Sequence, residues 1–534
     1  MRKRRLASVF LPALLVAGLA FLGALPASAQ DDQTGPIVSQ DVQHDVSPPL
    51  WVMATTATPP ATTGAPRTIG LLRPPGQVNV PEGPPDALGQ EPSGPLVSTT
   101  DLLNMDGQNA DGVAPPDTEG SVGATQYVQW VNVEYNVYDK TTGSKTLGPV
   151  AGNAFWSGFG GSCQTQNDGD IIMQYDKVNN VWVAAQNVFV TPYMVCVAVS
   201  QTSDATGSYN RYAFNLGSKN FPDYPKWGIW PDGYYQSFNV FNPSETEAMA
   251  CAYDGAAMRA GTTATQICFA TNKSELNLLP SDQDGLTAPP TGSPNYYIDL
   301  GPLTGSTGKS LQLFQFHVDF ADPSLSTFTG PTSISVTSFT EICSRGSNRA
   351  CIPEPSPGEK VDSLGDRLMY RNAYRNFGTY ESLLDTHTVK PGTGSTATGA
   401  VRWYEIHSPG SAPFAYQQGT IQDSKISYWM ASIAQDKLAD IAIGFSGSST
   451  TVKPSVFYTG RVPTDALGTM ESIKTVVSGT GVQKSTSNRW GDYSDMSIDA
   501  SDDCTFFYTQ EYYKTTGSFN WDTRINSFHF NSCT

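Results

Sequence analysis

The chain has 534 residues, and its 49 acidic against 32 basic side chains give a formal net charge of −17. A chain this acidic repels the phosphates of nucleic acids and anionic membrane surfaces, so no nucleic-acid partner is expected. Only 15% of the residues are charged, whereas 49 glycines and 38 prolines interrupt the sequence. Glycine and proline at this density leave little room for long helices and favour strands joined by turns.

The first 29 residues have the pattern of a secretory signal peptide. Basic residues 2–5 are followed by an apolar run at 6–25 and by three small residues at 27–29. These are the three parts of a cleavable export signal, so we expect a secreted protein, extracellular or periplasmic, that begins at Gln30 after cleavage. No second apolar stretch in the sequence reaches the length that spans a membrane, and no membrane insertion is expected.

Residues 30–105 differ in composition from the rest of the chain. Four Pro-Pro pairs occur there, charge is low, and no hydrophobic periodicity persists. Such a composition predicts an extended, mostly disordered leader in front of a folded domain at 106–534. Near the end of the leader, residues 96–103 are apolar enough to form a strand.

A pattern repeats through the folded domain. A short apolar run that opens on a polar or aromatic residue is followed by a polar turn and a longer run rich in aromatic and β-branched residues. The repeat recurs at roughly 50 to 75 residues, and four strands fit into one unit, which predicts an all-β fold, a seven-bladed β-propeller. Residues 96–103 could supply the strand that closes its last blade. The seven starting points are Asp117, Asp170, Lys226, Asn295, Leu368, Tyr428 and Asp492.

The eight cysteines are expected to form disulfides, because exported proteins fold in an oxidising compartment. Their spacing contains no Cys-x-x-Cys motif, which argues against a zinc or iron–sulfur site. Eight cysteines can pair in many ways, and pairing sequence neighbours assumes only locality. The pairs expected on that basis are Cys163 with Cys196, Cys251 with Cys268, Cys343 with Cys351, and Cys504 with Cys533.

Three segments carry a resemblance to known proteins: APPDTEGSVG at 114–123, DYPKWG at 223–228 and RWGDYS at 489–494. They resemble a largely uncharacterised group of secreted bacterial β-propeller proteins, which is loosely similar to the sialidase and BNR-repeat propellers. The resemblance covers roughly residues 106–533 and implies the fold rather than an activity. The Asp box of sialidases, Ser-x-Asp-x-Gly-x-x-Trp, matches nowhere in the sequence, so sialic acid cleavage is not implied.

Candidate functional residues follow from the propeller geometry. The innermost strand of each blade starts at the face where ligands usually bind, so residues at those starts converge on one mouth. Carboxylates there can transfer protons, cations can bind uronates, and aromatic rings can stack on sugars. Each residue alone also has a structural interpretation, as a turn, a packing contact or an ion pair. We expect Asp170 and Asp492 to be catalytic and Asp117, Lys226, Arg371, Trp429 and Tyr493 to bind substrate.

One metal hypothesis comes from the tetrapeptide Asn167-Asp168-Gly169-Asp170. It places three oxygen-bearing side chains around a glycine, and calcium in an extracellular protein accepts such ligands. Asn167 and Asp168 are therefore candidate calcium ligands, although the same tetrapeptide is ordinary tight-turn chemistry. No other cofactor is expected.

Two functions fit the sequence. The first is an extracellular enzyme acting on polysaccharide, either a glycoside hydrolase with two carboxylates or a lyase with a tyrosine or lysine base. The second is a non-catalytic propeller, expected to be a monomer, that binds a glycan or a protein at the cell surface. Two carboxylates about 5–10 Å apart would favour the hydrolase, whereas a mouth walled by paired charges and aromatic rings would favour binding.

Overall fold

The computed structural model describes residues 35–56, 67–68, 85–92, 95–242, 245–271, 275–343, 350–392 and 398–533. The expected signal peptide at residues 1–29 lies outside the described residues. The described residues form strands with a few short helices, so the all-β class is confirmed. No helix in the described ranges is both long and apolar enough to cross a bilayer.

The part of the chain before residue 115 contributes strands to sheets that are built mainly from later residues. In chain order its elements are β1 (Ile37–Gln40), β2 (Gln43–Val46), α1 (Leu50–Thr56), β3 (Arg67–Thr68), β4 (Gly89–Gln90), β5 (Thr99–Asn109) and β6 (Val113–Ala114).

Seven sequential antiparallel units follow in the described part of the chain, six with four strands and a last one with three. Unit one is β7 (Thr118–Val122), β8 (Gln126–Val131), β9 (Glu134–Asp139) and β10 (Lys145–Ala151); unit two is β11 (Ile172–Asp176), β12 (Val181–Val188), β13 (Tyr193–Ser200) and β14 (Tyr209–Gly217); unit three is β15 (Phe221–Trp230), β16 (Gly233–Asn242), β17 (Glu245–Tyr253) and β18 (Thr265–Ala270); unit four is β19 (Leu279–Asp284), β20 (Asn295–Leu300), β21 (Thr307–His317) and β22 (Thr327–Thr340).

The remaining units are separated from unit four by a small hairpin. The hairpin is β23 (Ala350–Ile352) and β24 (Val361–Asp362); unit five is β25 (Met369–Asn376), β26 (Glu381–Val389), β27 (Ala400–His407) and β28 (Phe414–Ile421); unit six is β29 (Ser427–Gln435), β30 (Ile441–Ser448), β31 (Ser455–Arg461) and β32 (Lys474–Val477); unit seven is β33 (Asp495–Ile498), β34 (Phe506–Tyr513) and β35 (Trp521–Phe530). Short helices α2 (Gly161–Thr165) and α3 (Gly255–Ala260) and two 3₁₀ turns, Gly152–Trp156 and Pro323–Leu325, lie between strands.

The core lies between neighbouring units. Every residue of β12 is buried, as are seven of the eight residues of β13. A sheet that is covered on both faces needs apolar side chains at successive positions, which explains runs such as VWVAA in β12. Separate apolar clusters join units one and two, two and three, five and six, and six and seven.

The first strands of the units share one axis. They contact one another in chain order, and β33 contacts β7, so the set closes on itself. β19 and β25 pair in parallel, with Ser281 opposite Asn372. We call the end at which the first strands begin the upper face, and the end at which they finish the lower face.

Unit seven obtains its fourth strand from the N-terminal part of the chain. β5 pairs antiparallel with β35 along its length, from Asn109 opposite Asp522 to Thr99 opposite Phe530. The strand predicted near residues 96–103 is therefore present, although it runs further, to Asn109.

The structure corrects the prediction of a disordered leader at residues 30–105. β1 pairs with β18 of unit three, β2 with β14 of unit two, and β4 with β28 of unit five. The outer strand of a sheet offers unpaired backbone groups, so a segment of low charge and high proline content can form short strands against it. We call β1, β2, α1, β4 and β5 together the N-terminal strap. The rest of the expected leader lies outside the described residues.

One of the seven predicted starting points is wrong. Asn295 begins β20, the second strand of unit four, whereas the first strand is β19. The β19 sequence LPSDQD has one aliphatic residue and a proline, so it lacks the pattern of a strand. It is buried because it pairs with β20 at Leu279 and with β25 at Ser281.

Four disulfides join cysteines that are neighbours in sequence. They are Cys163–Cys196, Cys251–Cys268, Cys343–Cys351 and Cys504–Cys533. The last of these flanks β34 and β35 in unit seven. Multiple disulfides are typical of proteins that fold in an oxidising compartment.

Candidate functional site

Three aspartates meet just inside the upper face, where β7, β11 and β33 begin. Asp117, Asp170 and Asp492 are 0%, 2% and 1% exposed. Asp117 Oδ1 accepts a hydrogen bond from the Asp492 amide at 2.9 Å. Burial, and then the charge of Asp492, raises the pKa of Asp170 to about 6. The same two causes raise the pKa of Asp117 well above its usual value.

The backbone at Asp170 is held in an unfavourable conformation. Asp170 has a φ of 49°, in the left-handed region, and follows Gly169, whose φ is 108°. The Asp170 amide donates to Asn132 Oδ1 at 3.1 Å, and Asn132 itself has a φ of 46°. Residues other than glycine rarely adopt this conformation, and such strain is concentrated at functional sites.

Lys226 lies next to these carboxylates and is fully buried. Its Nζ is 3.4 Å from the ring centre of Tyr224 and 4.0 Å from that of Tyr493. The same atom donates to the Pro225 carbonyl at 2.9 Å. Burial lowers the pKa of Lys226 to about 8, although the neighbouring aspartates favour its charged form. Two aromatic faces thus hold an ammonium group beside carboxylates.

Two arginines complete this group. Arg489, which is 8% exposed, forms an ion pair with Asp492. Arg367 pairs with Asp366 at 3.1 Å, and its guanidinium lies 4.5 Å from the ring centre of Tyr224. We call Asp117, Asp170, Asp492, Lys226, Tyr224, Tyr493, Arg367 and Arg489 the upper cluster.

Arg371 does not join the upper cluster, contrary to the prediction. It pairs with Asp282 at 2.7 Å and with Asp284, and its Nε is 3.7 Å from Asp495. Lys177 pairs with Asp284 at 2.6 Å. Burial opposes ionisation of Asp284, but Arg371 and Lys177 lower its pKa to about 2. Burial raises the pKa of Asp495 to about 7. These residues form a second charged group, nearer the lower face.

Glu119 lies between the two charged groups and is fully buried. Burial and the charge of Asp495 raise its pKa, whereas Lys226 acts in the opposite direction. Tyr493 donates to the Ile171 carbonyl at 3.1 Å, and Tyr370 packs 6.0 Å from the Tyr493 ring. Side chains therefore fill this part of the axis.

The two aromatic residues predicted to bind substrate are packed in the interior. Trp429 is fully buried and its ring lies edge-on to that of Trp490, with centres 5.5 Å apart. Tyr493 is also fully buried, between Lys226 and Tyr370. Tyr493 belongs to the upper cluster, whereas Trp429 belongs to a separate apolar cluster.

The mouth expected at the upper face is closed in this structure. Asp117, Asp170, Asp492 and Lys226 are each at most 2% exposed. The segments before β7 and β11 are joined there by Asn132, whose Nδ2 donates to the Pro115 carbonyl and whose Oδ1 accepts from the Asp170 amide. Partly exposed residues of this outer layer are Asn167, Asp168, Asp366 and Asn488.

The calcium site stays a prediction. Asn167 donates to the Val133 carbonyl at 3.0 Å, and Asp168 accepts from the Phe189 amide at 2.9 Å. Both side chains thus hold the turn before β11. Within the described ranges, no three acidic, histidine or cysteine side chains are grouped as they would be around a metal ion.

Several residues of the site were missed from the sequence. Tyr224 and Arg489 lie inside the DYPKWG and RWGDYS motifs. Their closeness in sequence to Lys226 and Asp492 was the signal that could have identified them. Asp282 and Asp284 lie on β19, whose sequence does not read as a strand. Arg367 has no signal of its own in the sequence.

No family model matches the chain, and no curated protein matches it. Among solved structures, polysaccharide lyase Uly1 is similar with a TM-score of 0.35 and 9% identity, covering 78% of this chain and 91% of that one. An alpha-L-arabinofuranosidase from Lactobacillus brevis has a TM-score of 0.29 and 9% identity, with coverage of 68% and 92%. The N-terminal domain of Nup159 has a TM-score of 0.32 and 9% identity, with coverage of 82% and 98%. TM-scores this low support no argument about fold or function.

Proposed function

We propose that the protein is a secreted seven-bladed β-propeller that acts on extracellular polysaccharide, as a glycoside hydrolase, at the upper cluster. The fold assignment is supported by seven sequential units whose first strands contact one another around an axis, and by β5, which completes the last unit. The signal-peptide pattern and four disulfides support secretion.

One observation carries the activity: two buried carboxyl groups, Asp117 and Asp170, lie beside each other and beside Lys226. The pKa of Asp170 is raised to about 6, and that of Asp117 is raised well above its usual value by burial. Glycoside hydrolysis uses two carboxyl groups, one that protonates the leaving oxygen and one that acts as nucleophile or base. Asp492 is the weaker candidate for the acid, because it already pairs with Arg489.

The roles follow from these protonation states. Burial and the charge of Asp492 raise the pKa of Asp117, which favours its protonated form, and Asp117 gives this proton to the glycosidic oxygen as the bond to the anomeric carbon breaks. Asp170, ionised above pH 6, stabilises the positive charge at that carbon or takes a proton from the attacking water. Lys226 favours the carboxylate form of Asp170, and Asp492 orients Asp117 through its amide.

Substrate reaches these groups only after the covering chain moves, because the cluster is closed. The contacts that hold the outer layer include the hydrogen bond from the Phe189 amide to the Asp168 side chain. Closure of a site over its substrate excludes water and is common in enzymes.

Burial of the upper cluster is also the observation that favours the second candidate function. In a non-catalytic propeller that binds a glycan or a protein at the cell surface, the same charges would only hold the first strands together. A hydrolase cleaves the polysaccharide that it binds, whereas a non-catalytic propeller leaves its ligand intact.

The deciding experiment incubates the purified protein with a panel of polysaccharides and measures new reducing ends and unsaturated products that absorb in the ultraviolet. We expect reducing ends without unsaturation, and a loss of about 10²-fold or more in Asp117→Asn and Asp170→Asn. Asp101→Asn is the matched control, because Asp101 lies on β5, the outer strand of unit seven. Unsaturated products would indicate a lyase, and turnover that survives both substitutions would remove these aspartates from catalysis.

A further inference from the structure

Three aromatic side chains lie together at the upper face, in units two and three. The ring of Phe221, at the start of β15, is 5.0 Å from Phe189 and 5.6 Å from Tyr193, measured between centres. All three are only partly buried, and Val190 next to them is 41% exposed. We call Phe189, Tyr193 and Phe221 the aromatic rim.

The aromatic rim is attached to both chain segments that carry the upper cluster in these units. The Phe189 amide donates to Asp168, two residues before Asp170. Phe221 begins the strand that contains Tyr224 and Lys226. β12 ends, and β13 and β15 begin, at the edge where β11 starts, so the rim and the aspartates belong to the same face.

We propose that the aromatic rim binds the sugar rings of an uncharged polysaccharide and leads the chain to Asp117 and Asp170. This inference rests on the proposed function and names the substrate class of the same site. Partly exposed aromatic rings offer flat apolar surface to the C–H faces of pyranose rings, while their edges tolerate water. The rim is linked to the segment that carries Asp170 by the hydrogen bond from the Phe189 amide to Asp168, which separates it from isolated surface aromatics.

The charges of the site favour an uncharged substrate. The chain has a net charge of −17, so a uronate polymer is repelled over long range. The cations of the upper cluster are already engaged, since Arg489 pairs with Asp492, Arg367 pairs with Asp366, and Lys226 is fully buried. A lyase removes the proton next to a uronate carboxyl group and needs that charge neutralised, so the same observation favours hydrolysis over elimination.

An exposed cation lies next to the aromatic rim, and the test has to include it. Lys219 is exposed two residues before Phe221. A uronate polymer could use it, so Lys219→Gln separates recognition by charge from recognition by aromatic rings.

The test is affinity electrophoresis, which measures how far the migration of the mature protein is retarded in gels that contain xylan, galactomannan, mixed-linkage glucan or polygalacturonate. We expect at least one of the three uncharged polymers to retard the protein, and Phe221→Ala and Tyr193→Ala to weaken that binding at least tenfold. Tyr193→Phe keeps the ring and should bind like the wild type. Lys219→Gln should also leave binding unchanged.

A matched control is available at the lower face. Tyr416 is 43% exposed and stacks on His407 with ring centres 4.2 Å apart. Tyr416→Ala removes an aromatic side chain of similar exposure, and binding should not change. If Phe221→Ala lowers the thermal midpoint, the pair Tyr193→Ala and Tyr193→Phe decides the question.

The outcomes separate this inference from the proposed activity. If rim variants lose binding while the wild type shows no turnover, the aromatic rim is supported and the hydrolase proposal fails. If turnover is seen but rim variants bind as well as the wild type, the hydrolase proposal stands and the rim is overturned. Retardation by none of the uncharged polymers, or binding only to polygalacturonate with loss in Lys219→Gln, also overturns it.

Discussion

Asp170 combines two unfavourable features in one residue. Its carboxyl group is 2% exposed and its backbone has a φ of 49°. Folding stabilises neither a buried charge nor this backbone region, so both must be imposed by neighbours such as Asn132.

The titration of Asp170 gives a prediction about stability. Its pKa in the folded protein is about 6, above the value near 4 in the unfolded chain. Ionisation is therefore harder in the folded state, and stability is lost as pH rises through that window, by about 2–3 kcal/mol. We expect Asp170→Asn to gain this amount relative to the wild type between pH 4 and pH 7.5. Urea denaturation at both pH values measures it, and a constant difference would contradict the raised pKa.

Lys226 gives a second prediction, on the pH dependence of the proposed activity. The positive charge of Lys226 lowers the pKa of Asp170, in opposition to burial and Asp492. Lys226→Met keeps the apolar stem but removes that charge. The acid limb of kcat/KM, which we expect near pH 6, should then move to higher pH. An unchanged limb would mean that another group controls it.

At the residue scale, the sequence predicted part of the site. Asp117, Asp170 and Asp492 precede the first residues of β7, β11 and β33, and such starts converge, so they meet. Lys226, the sixth residue of β15, joins them, whereas Arg371, only the third residue of β25, reaches the acidic residues of β19 instead. Depth along the axis depends on the strand register, which side-chain patterns do not reveal.

At the scale of elements, the N-terminal strap is fastened by buried ion pairs. Arg402 of unit five is fully buried and binds both carboxylate oxygens of Asp86 at 2.6 Å. Asp86 precedes β4 and Arg402 lies on β27, so this pair anchors the strap to β27, next to β28 with which β4 pairs. Arg211 of unit two is also buried and binds Asp45 of β2 through Nε and Nη2, at 2.9 and 2.7 Å, but the Asp45 side chain is 34% exposed.

The strap contacts predict different costs for two aspartates. Asp86→Ala leaves the Arg402 guanidinium buried without its carboxylate, and we expect a loss of about 3 kcal/mol in the free energy of unfolding. Asp101→Ala breaks a pair with Lys474 in which the side chains are 37% and 27% exposed. That loss should stay below about 1 kcal/mol. Denaturation midpoints of the two variants compare them, and equal losses would show that the strap is not held by Asp86.

The regular elements were largely predictable and the strap was not. In unit two, the apolar and turn residues predict strands at 171–175, 181–190, 194–200 and 210–214. β11–β14 agree with these ranges to within a few residues, because each strand carries its own apolar pattern. β1 and β2 are held mainly by hydrogen bonds to β18 and β14, whose positions only the folded chain provides. The sequence did not predict β19 for the same reason, because β19 is held by its pairing with β20 and β25.

At the scale of the whole molecule, unit seven joins the first and last parts of the described chain. β5 hydrogen bonds with β35, and Cys504–Cys533 holds the ends of β34 and β35 together. The sequence predicted this closure from one apolar segment. The arrangement of seven units was predictable because their aromatic runs recur, whereas the packing of the covering chain was not.

The disulfides predict a graded response. The Cys504–Cys533 bond spans 29 residues and Cys343–Cys351 spans 8. Loop entropy assigns about 3.5 kcal/mol to the first and about 2.5 kcal/mol to the second. Replacing each pair with serine should therefore lower stability more in unit seven. Thermal unfolding of the two double variants measures the order, and a reversed order would show that closure does not depend on the longer bridge.

The contact between β5 and β35 also constrains when unit seven can fold during synthesis. Thr100 and Asn531 hydrogen bond across 431 positions of sequence. During synthesis, β5 emerges early and has no partner until nearly all later strands have been made. Contacts between residues this far apart in sequence form slowly, and a strand is prone to aggregation until it is paired. The protein must therefore remain without a closed unit seven through synthesis, a state suited to passage through an export channel as an unfolded chain.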